Sequence, residues 1–339
     1  MHIDNYIDTI RFCRFCFMCR HLSAIGNVAF TEADTPRVRA SMIYGVTMFP
    51  ERLANDDLIK TMYRSDLSGC CRRNCVNHYD EVGLTLAYRA DLVEAGSAPE
   101  YIKVIAEELK NFGKWSVSGS GKVAYVADRY SVESGAAAAF AKLSKEDFQT
   151  VKGGSCGKGL WVLGFRNDAK ILAEKFLTVL KETRAETIVV SHTGIYDFLV
   201  NTIGEMGLTL DAKVMHTSEY LADVKVSKAI GDVYYLESDY LRNYNDDYPY
   251  PKAVLVANGA NLRQFGTNDE ESYSCAEGAL VLDKIEPELV RKLAEYIEAR
   301  ADNPASDVIV TASPYTKLQL AKYTSLNVKT IEELLADAL

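Results

Sequence analysis

The chain has 339 residues, of which 48% are apolar, so it can bury a sizeable core and form two or three domains. Its formal net charge of -9 argues against a nucleic-acid partner, because binding phosphates requires a cationic surface. No segment contains 18 consecutive apolar residues, and the beginning, MHIDNYIDTIRF, lacks the basic and then apolar pattern of a signal peptide. We therefore expect a cytoplasmic chain without a transmembrane segment.

Charge and cysteine are unevenly distributed along the chain. Residues 1–80 contain ten Lys/Arg and nine Asp/Glu, so the acidic surplus lies in the rest of the sequence. Six of the eight cysteines fall between positions 13 and 75. A disulfide framework is not expected in a chain of this size without an export signal. Clustered thiols in such a chain indicate a metal.

The pattern of apolar residues changes near position 120. Before it, stretches such as DDLIKTMY and EVGLTLAYRADLVEAG predict helices, and after it apolar strands alternate with amphipathic helices. The later order repeats after about 120 residues, since strand 188–190 matches strand 308–310. We predict an α+β multidomain fold whose α/β units contain parallel sheets. The predicted parts are a mostly helical domain at 1–95, a linker helix at 96–117, and repeated α/β units at 118–225 and 226–339.

The strongest local motif is C-x2-C-x2-C at Cys13, Cys16 and Cys19. Three thiolates at this spacing can hold one iron-sulfur cubane, which needs a fourth ligand from elsewhere. In bacterial two-cluster ferredoxins a fourth cysteine follows three residues later and binds the other cluster. Here that position is Ser23, so the first motif has lost the ligand that it would give to a second cluster.

A second motif can be aligned at Ser65, Ser68, Cys71 and Cys75. The same exchange of ligands assigns Cys75 to the first cluster. A second cluster would then have only one thiol at its four ligand positions, which are Ser23, Ser65, Ser68 and Cys71. We therefore predict one 4Fe-4S cluster bound by Cys13, Cys16, Cys19 and Cys75, and no second cubane. A structural zinc site on the same thiolates, or cysteines packed without a metal, remain the alternatives.

Five arginines lie close to these cysteines in the sequence: Arg11, Arg14, Arg20, Arg72 and Arg73. A cubane with four thiolates is anionic, so these cations could stabilise it and raise its reduction potential. The alternative is a basic patch exposed to solvent.

The stretches CRFCFMCRHLSAIGNVAFTEADTPRVRASMIYGV and SGCCRRNCVNHYD resemble the two cluster motifs of a known family. This family comprises the iron-sulfur subunits of glycolate oxidase, anaerobic glycerol-3-phosphate dehydrogenase and heterodisulfide reductase. The α/β units resemble its cysteine-rich domains, but GGSCGKGLWVLGF and SYSCAEG each keep one thiol of the CCG motif, Cys156 and Cys275. The resemblance implies a ferredoxin-type first domain, a retained α/β scaffold and no non-cubane cluster.

The resemblance also implies a function. We expect a non-catalytic electron-transfer subunit that exchanges electrons with a flavin-binding dehydrogenase partner acting on a 2-hydroxy acid. A second hypothesis is a non-redox scaffold or assembly subunit whose cluster or zinc is structural. A third is an enzyme with a remodelled crevice that uses Cys156, Cys275, His192 or Asp239.

Overall fold

The computed structural model describes residues 1–13, 16–246, 248–266 and 273–339. Within this part of the chain, everything before Ser116 that has regular structure is helical. The helices are α1 (Ile7–Cys13), α2 (Ala24–Ala29), α3 (Pro36–Met48), α4 (Asp56–Tyr63), α5 (Cys70–Asn74), α6 (Glu81–Glu94) and α7 (Glu100–Lys110). Short 3-10 turns lie at His2–Tyr6, Glu32–Asp34 and Pro50–Ala54.

Four of these helices begin at a side chain that accepts a hydrogen bond from a backbone N–H of the first turn. The capping residues of α2, α3, α4 and α6 are Ser23, Thr35, Asn55 and Asp80. Such caps satisfy N–H groups that have no partner within the helix. Two of them, at α2 and α6, fix the starts of the helices that follow the cysteine-containing segments.

The first sheet has the strand order β1-β3-β2-β4-β5, and every neighbouring pair is parallel except β1 and β3. The strands are β1 (Ser116–Gly119), β2 (Val123–Ala127), β3 (Phe148–Lys152), β4 (Thr187–Val190) and β5 (Lys213–His216). The helices of this unit are α8 (Arg129–Glu133), α9 (Ala136–Leu143), α10 (Lys158–Leu163), α11 (Arg166–Glu182), α12 (Thr193–Asp197), α13 (Ile203–Glu205) and α14 (Thr217–Tyr220), with a π-helical turn at Phe198–Thr202.

The second sheet has the strand order β7-β6-β8-β9 and is parallel throughout. Its strands are β6 (Gly231–Leu236), β7 (Ala260–Arg263), β8 (Val308–Thr311) and β9 (Asn327–Thr330). Its helices are α15 (Tyr250–Ala257), α16 (Leu282–Ile285), α17 (Pro287–Glu298), α18 (Pro314–Tyr323) and α19 (Ile331–Asp337), with a π-helical turn at Tyr240–Tyr244. When β1 is set aside, both sheets place their parallel strands in the sequence order second, first, third and fourth.

A continuous apolar core connects the helical region with the first sheet. Tyr125 of β2 stacks on Phe140 of α9 with 4.3 Å between ring centroids. The buried guanidinium of Arg89 on α6 donates to the carbonyl oxygens of Met62 at 2.7 Å and Val162 at 2.8 Å. Because Val162 belongs to α10, this arginine joins the amino-terminal helices to the first α/β unit.

The mixed α/β architecture with mostly parallel sheets confirms the coarse fold prediction. Two details differ from expectation. The predicted linker helix at 96–117 is shorter, since α7 ends at Lys110 and β1 begins at Ser116, and β1 itself was not predicted. Among the described residues, no helix combines the length and the apolar character needed to cross a membrane.

Candidate metal centre

Five cysteines line one cavity of about 180 Å³ at the surface of the helical region. Cys13 is the last residue of α1, and Cys16 and Cys19 lie in the following loop. Cys71 belongs to α5, and Cys75 follows this helix directly. The structure therefore brings together all four predicted ligands and adds Cys71 as a fifth thiol.

The position of α5 is set by contacts with the second α/β unit. The guanidinium of Arg72 donates to the carbonyl oxygen of Asn243 at 2.9 Å, and that of Arg73 donates to the carbonyl oxygen of Arg242 at 2.8 Å. Gly69 before the helix has a φ of +72°, and a Cβ there would lie 2.9 Å from the ring of Tyr244. A glycine is required because the backbone is left-handed and the neighbouring ring is close.

The arginines predicted to surround a cluster have different surroundings. Arg11 and Arg20 are exposed and lie near Asp8 and Glu32, at 3.6 and 3.0 Å. Arg72 forms an ion pair with Asp80 at 3.2 Å, in addition to its contact with the second unit. Solvent screens the exposed ion pairs of Arg11 and Arg20. Arg14 lies outside the described residues.

The sulfur atoms are more widely spaced than a zinc site would require. Tetrahedral zinc with Zn–S bonds of about 2.3 Å places its thiolates about 3.8 Å apart. Among the described residues, no three cysteine sulfurs lie within 4.8 Å of one another. A cubane binds each thiolate through a different iron, so its ligands need not approach one another as closely.

Among the residues that the structure describes, one group of metal-binding residue types does have its ligand atoms within 4.8 Å of one another: His2, Asp91 and Glu94. The carboxylate of Asp91 accepts hydrogen bonds from the backbone N–H groups of His2 at 2.6 Å and Ile3 at 3.0 Å. The imidazole of His2 lies 2.8 Å from Glu94 and 3.2 Å from the guanidinium of Arg166. These contacts attach the first residues of the chain to α6. They explain why His2, Asp91 and Glu94 lie close together without a metal.

The thiols of the cavity differ in their ease of ionisation. Burial, followed by the charges of Cys19, Cys75 and Cys16, raises the pKa of Cys13 to about 12. In contrast, a hydrogen bond from the thiol of Cys71 is the main cause that lowers the pKa of Cys19 to about 6. The same contact and burial raise the pKa of Cys71 well above its usual value. The cavity therefore favours a thiolate at Cys19, which is the form that binds metal.

The positions that would have held a second cluster are buried, and their side chains make other contacts. Ser23 caps α2 and donates to the carbonyl oxygen of Asp34 at 3.3 Å. Ser65 accepts from the backbone N–H of Leu67 at 3.4 Å. Cys71 faces Cys19 in the first cavity. These residues are built into the local hydrogen bonding and do not form a second set of thiol ligands.

The two cysteines of the α/β units lie in separate buried environments. Burial raises the pKa of Cys156 to about 11, and it raises that of Cys275 well above its usual value, with Asp239 as the next cause. These raised pKa values keep the thiols of Cys156 and Cys275 protonated near neutral pH, which disfavours them as nucleophiles.

His192, another residue considered for a crevice, places its Nδ1 atom 3.3 Å from a carboxylate oxygen of Asp128.

Asp239 belongs to a polar network inside the second unit. Its carboxylate accepts from the hydroxyl of Ser274 at 2.5 Å, and its backbone N–H donates to Glu277 at 2.6 Å. Burial, followed by the charge of Glu277, raises the pKa of Asp239 well above its usual value. These hydrogen bonds give Asp239 a structural role inside the second unit.

Sequence reasoning missed two residues: Cys71, whose thiol lines the cysteine cavity, and Arg39, a buried residue of α3 whose charge helps to lower the pKa of Cys19. The motif alignment assigned Cys71 to an absent cluster, and Arg39 follows no recognisable motif. No known family model matches the chain, and no curated protein matches it. The functional conclusion therefore depends on the residues described above.

Proposed function

We propose that this chain is an electron-transfer subunit that carries one 4Fe-4S cluster on Cys13, Cys16, Cys19 and Cys75. The observation that carries the proposal is the convergence of these four thiols on one cavity of about 180 Å³. An all-thiolate donor set suits an iron-sulfur cluster, which exchanges single electrons when bound. The chain's own residues hold the thiolates and limit the access of water, since Leu22 and Tyr79 form apolar walls.

The wide spacing of the sulfur atoms favours a cluster over mononuclear zinc. The described cysteines would have to move together to reach the separation of about 3.8 Å that zinc requires. Of this ligand loop the structure describes residues 16–19, and none of these belongs to a helix or strand. The cavity as it stands suits an occupant larger than a zinc ion, because the sulfur atoms then need not move together.

The surface around the cavity supports docking of a partner. The side chains of Phe12, Met18 and Val76 line the cavity and are 60–77% exposed. Exposed apolar patches of this kind mark interaction sites, because a soluble surface seldom leaves large apolar side chains in one place. We assign this face to a flavin-binding dehydrogenase subunit, which would place its cofactor close to the cysteines in a hetero-oligomer.

Anaerobic purification followed by metal analysis tests the proposal. We expect about four irons and four sulfides per chain, as one cubane requires, and one paramagnetic signal from a reduced cubane. Zinc without iron would refute the electron-transfer function. About eight irons would refute the assignment of a single cluster.

A structural role for the same site is the second candidate, and the contacts of α5 favour it. Because Arg72 and Arg73 bind carbonyl groups of the second α/β unit, a metal on Cys75 would also stabilise that contact. The two functions differ in their redox behaviour. A bound cluster that stays in one oxidation state across the potentials accessible to flavins would identify the structural role.

A further inference from the structure

A cleft of about 900 Å³ lies between the second α/β unit and the helical region. It is lined by the carboxyl ends of two neighbouring parallel strands, since Leu236 ends β6 and Arg263 ends β7. Arg73 of α5 lines it from the side of the helical region. Parallel sheets bind ligands outside the carboxyl ends of their strands, and small-molecule sites have volumes of about 300–1,000 Å³. The position and the size of the cleft therefore suit a small organic molecule.

In the part of the chain that the structure describes, four cationic side chains line this cleft: Arg73, Arg242, Lys252 and Arg263. The Nη1 atom of Arg73 donates to the carbonyl oxygen of Arg242 at 2.8 Å, so two of these cations belong to segments in direct contact. Arg242 lies in the π-helical turn at Tyr240–Tyr244, and π-helical turns occur frequently at functional sites. Because the whole chain has a net charge of -9, this concentration of cations is opposite in sign to the overall charge.

Two carboxyl groups also line the described part of the cleft, and both have partners. Glu237 forms an ion pair with Lys252. Asp239 accepts hydrogen bonds from inside the second unit, and burial raises its pKa well above the usual value. The carboxylate of Asp302 lies 2.9 Å from Arg263, but Asp302 does not line the cleft and is 67% exposed, so solvent screens it. Four cations against two acids leave a positive surplus even when Asp239 is ionised.

Helix α15 begins at the same cleft and adds partial positive charge. Its N-cap residue, Pro249, lines the cleft and offers no side chain that caps the first turn. The first N–H groups of a helix have no partner within the helix, and the helix dipole is positive at this end. Lys252 adds a full charge within this first turn. Phosphate groups bind at helix amino termini for both reasons.

Tyr235 gives an independent indication that the cleft holds a ligand. It lines the cleft and is 7% exposed, and its hydroxyl is buried without a hydrogen-bond partner among the described residues. Asn243 also lines the cleft. Its side-chain nitrogen donates to the carbonyl oxygen of Ser68 at 2.8 Å, whereas its buried side-chain oxygen has no partner in the described chain. Buried polar groups are almost always hydrogen-bonded, because an unpaired one costs free energy. A polar molecule in the cleft would supply the partner that the Tyr235 hydroxyl lacks.

We propose that this cleft binds a small organic molecule through its phosphate group. Guanidinium groups such as those of Arg73 and Arg242 bind phosphate oxygens through paired hydrogen bonds. The rings of Tyr248 and Phe265, which also line the cleft, provide apolar surface for the rest of the molecule. The inference goes beyond the proposed function and does not depend on it, because the cleft needs no metal.

Isothermal titration calorimetry on the full chain compares phosphorylated probes with counterparts that lack the phosphate. The probes are AMP and flavin mononucleotide, and the counterparts, adenosine and riboflavin, have the same rings. Arg242→Gln removes one charge from the cleft, and Arg242→Lys keeps it. Arg291→Gln is the matched control, because it makes the same change in net charge on α17, where Arg291 is paired with Glu288 and Glu295 outside the cleft.

At least one phosphorylated probe should bind about tenfold or more tightly than its counterpart, and Arg242→Gln should weaken that binding about tenfold or more, since charge-assisted hydrogen bonds are lost. Arg242→Lys should weaken it less, and Arg291→Gln should leave it unchanged. If Arg242→Gln has a lowered thermal midpoint, Arg263→Gln takes its place, because it removes another cation of the same cleft and should also weaken binding.

Several results would overturn the inference. They are equal affinity with and without the phosphate, no binding of either phosphorylated probe at about 1 mM, and unchanged binding in a folded Arg242→Gln. Equal affinity for inorganic phosphate and for both organic probes would also overturn it, because the cleft then holds only an anion. A chain that binds AMP but contains no iron after anaerobic purification would refute the proposed function alone and leave this inference intact.

Discussion

The thiol of Cys71 lies 3.5 Å from the carbonyl oxygen of Cys19, so a fifth cysteine shares the cavity with the four predicted ligands. A 4Fe-4S cluster uses four thiolates, and one of the five must remain a thiol. Cys71 already acts as a donor to Cys19 and is buried, whereas Cys75 is partly exposed at the end of α5. This arrangement favours Cys75 as the fourth ligand and Cys71 as a hydrogen-bond donor.

Substitution should separate these two roles. We expect Cys75→Ser to lose most of its iron and sulfide after anaerobic reconstitution, because serine is a poor replacement for a thiolate ligand. Cys71→Ser should keep the cluster, since a hydroxyl can still donate to Cys19. Cys156→Ser, at a buried thiol outside the cavity, is the matched control. The reverse result, with iron lost only in Cys71→Ser, would contradict the assignment of Cys75.

The stability of the metal-free protein should depend on the protonation of Glu81. This residue begins α6, and one of its oxygens accepts from the backbone N–H of Arg72 at 2.9 Å. Burial raises its pKa from 4.5 to about 8. The folded state therefore binds a proton more tightly than the unfolded state. Its contribution to the free energy of unfolding is complete below pH 4.5 and is lost as the pH rises toward 8.

Glu81→Gln should reduce this pH dependence, because the amide stays neutral and can still accept the hydrogen bond. Each pKa unit corresponds to about 1.4 kcal/mol, so we expect a difference of about 2–4 kcal/mol between pH 5 and pH 8.5 to be removed. Urea unfolding of the metal-free protein at several pH values measures it. Glu174→Gln, on the exposed face of α11, should leave the slope unchanged. An identical slope in wild type and Glu81→Gln would refute the prediction.

The elements that the sequence predicted best are those whose side chains are uniformly buried. Strand β2 consists of five buried apolar residues, and β4 has three buried apolar residues after Thr187; both lie inside the first sheet as expected. Strand β1 escaped prediction because all four of its residues are exposed and it contains Ser116, Ser118 and Gly119, which are weak indicators of a strand. An edge strand of this kind forms because its neighbour β3 offers hydrogen bonds.

The cysteine cavity, too, could be predicted from the sequence only in part. The spacing of Cys13, Cys16 and Cys19 indicated their proximity, because residues in one short loop remain close in any fold. The distance from Cys75 depends on how α5 packs, and the motif alignment anticipated that these cysteines share a site. The contact of Cys71 with Cys19 could not be predicted, since it depends on where α5 packs. Such contacts are decided by tertiary packing and leave no local pattern.

A buried ion pair in the first α/β unit should contribute strongly to stability. The ammonium of Lys158 lies 2.6 Å from the carboxylate of Asp197 and 2.8 Å from the hydroxyl of Thr202. Both charged side chains are almost completely buried. Removing one partner leaves the other charge uncompensated, so Lys158→Met should lower the free energy of unfolding by about 3–5 kcal/mol.

The double variant Lys158→Met with Asp197→Leu should recover part of this loss, because it removes both charges and leaves apolar groups. Lys122→Met, which removes an exposed partner of Glu186, should have little effect in the same urea experiment. The single variant Asp197→Leu completes the comparison. If the double variant loses as much unfolding free energy as the two single variants together, the two charges are not energetically coupled.

The exposed apolar side chains beside the cysteine cavity should affect electron exchange with proteins and leave the cluster itself unchanged. Phe12 and Val76 lie on opposite ligand segments, one before Cys13 and the other after Cys75. A docked protein must displace water from this face to approach the cluster, whereas a small dye does not need the same contact. The double variant Phe12→Ser with Val76→Ser should therefore retain its iron content, its spectrum and its reaction with benzyl viologen.

Stopped-flow oxidation of the reduced protein by flavodoxin, a soluble flavin protein used as a probe, should slow about tenfold or more in this double variant. A loss of 1.4 kcal/mol in docking free energy is sufficient for this change. Phe30→Ser is the matched control, since Phe30 is the most exposed of these large apolar residues and does not line the cavity. An equal decrease for Phe30→Ser would indicate a general effect of surface polarity. Equal slowing with benzyl viologen would place the effect in the cluster, because a small dye needs no docking surface.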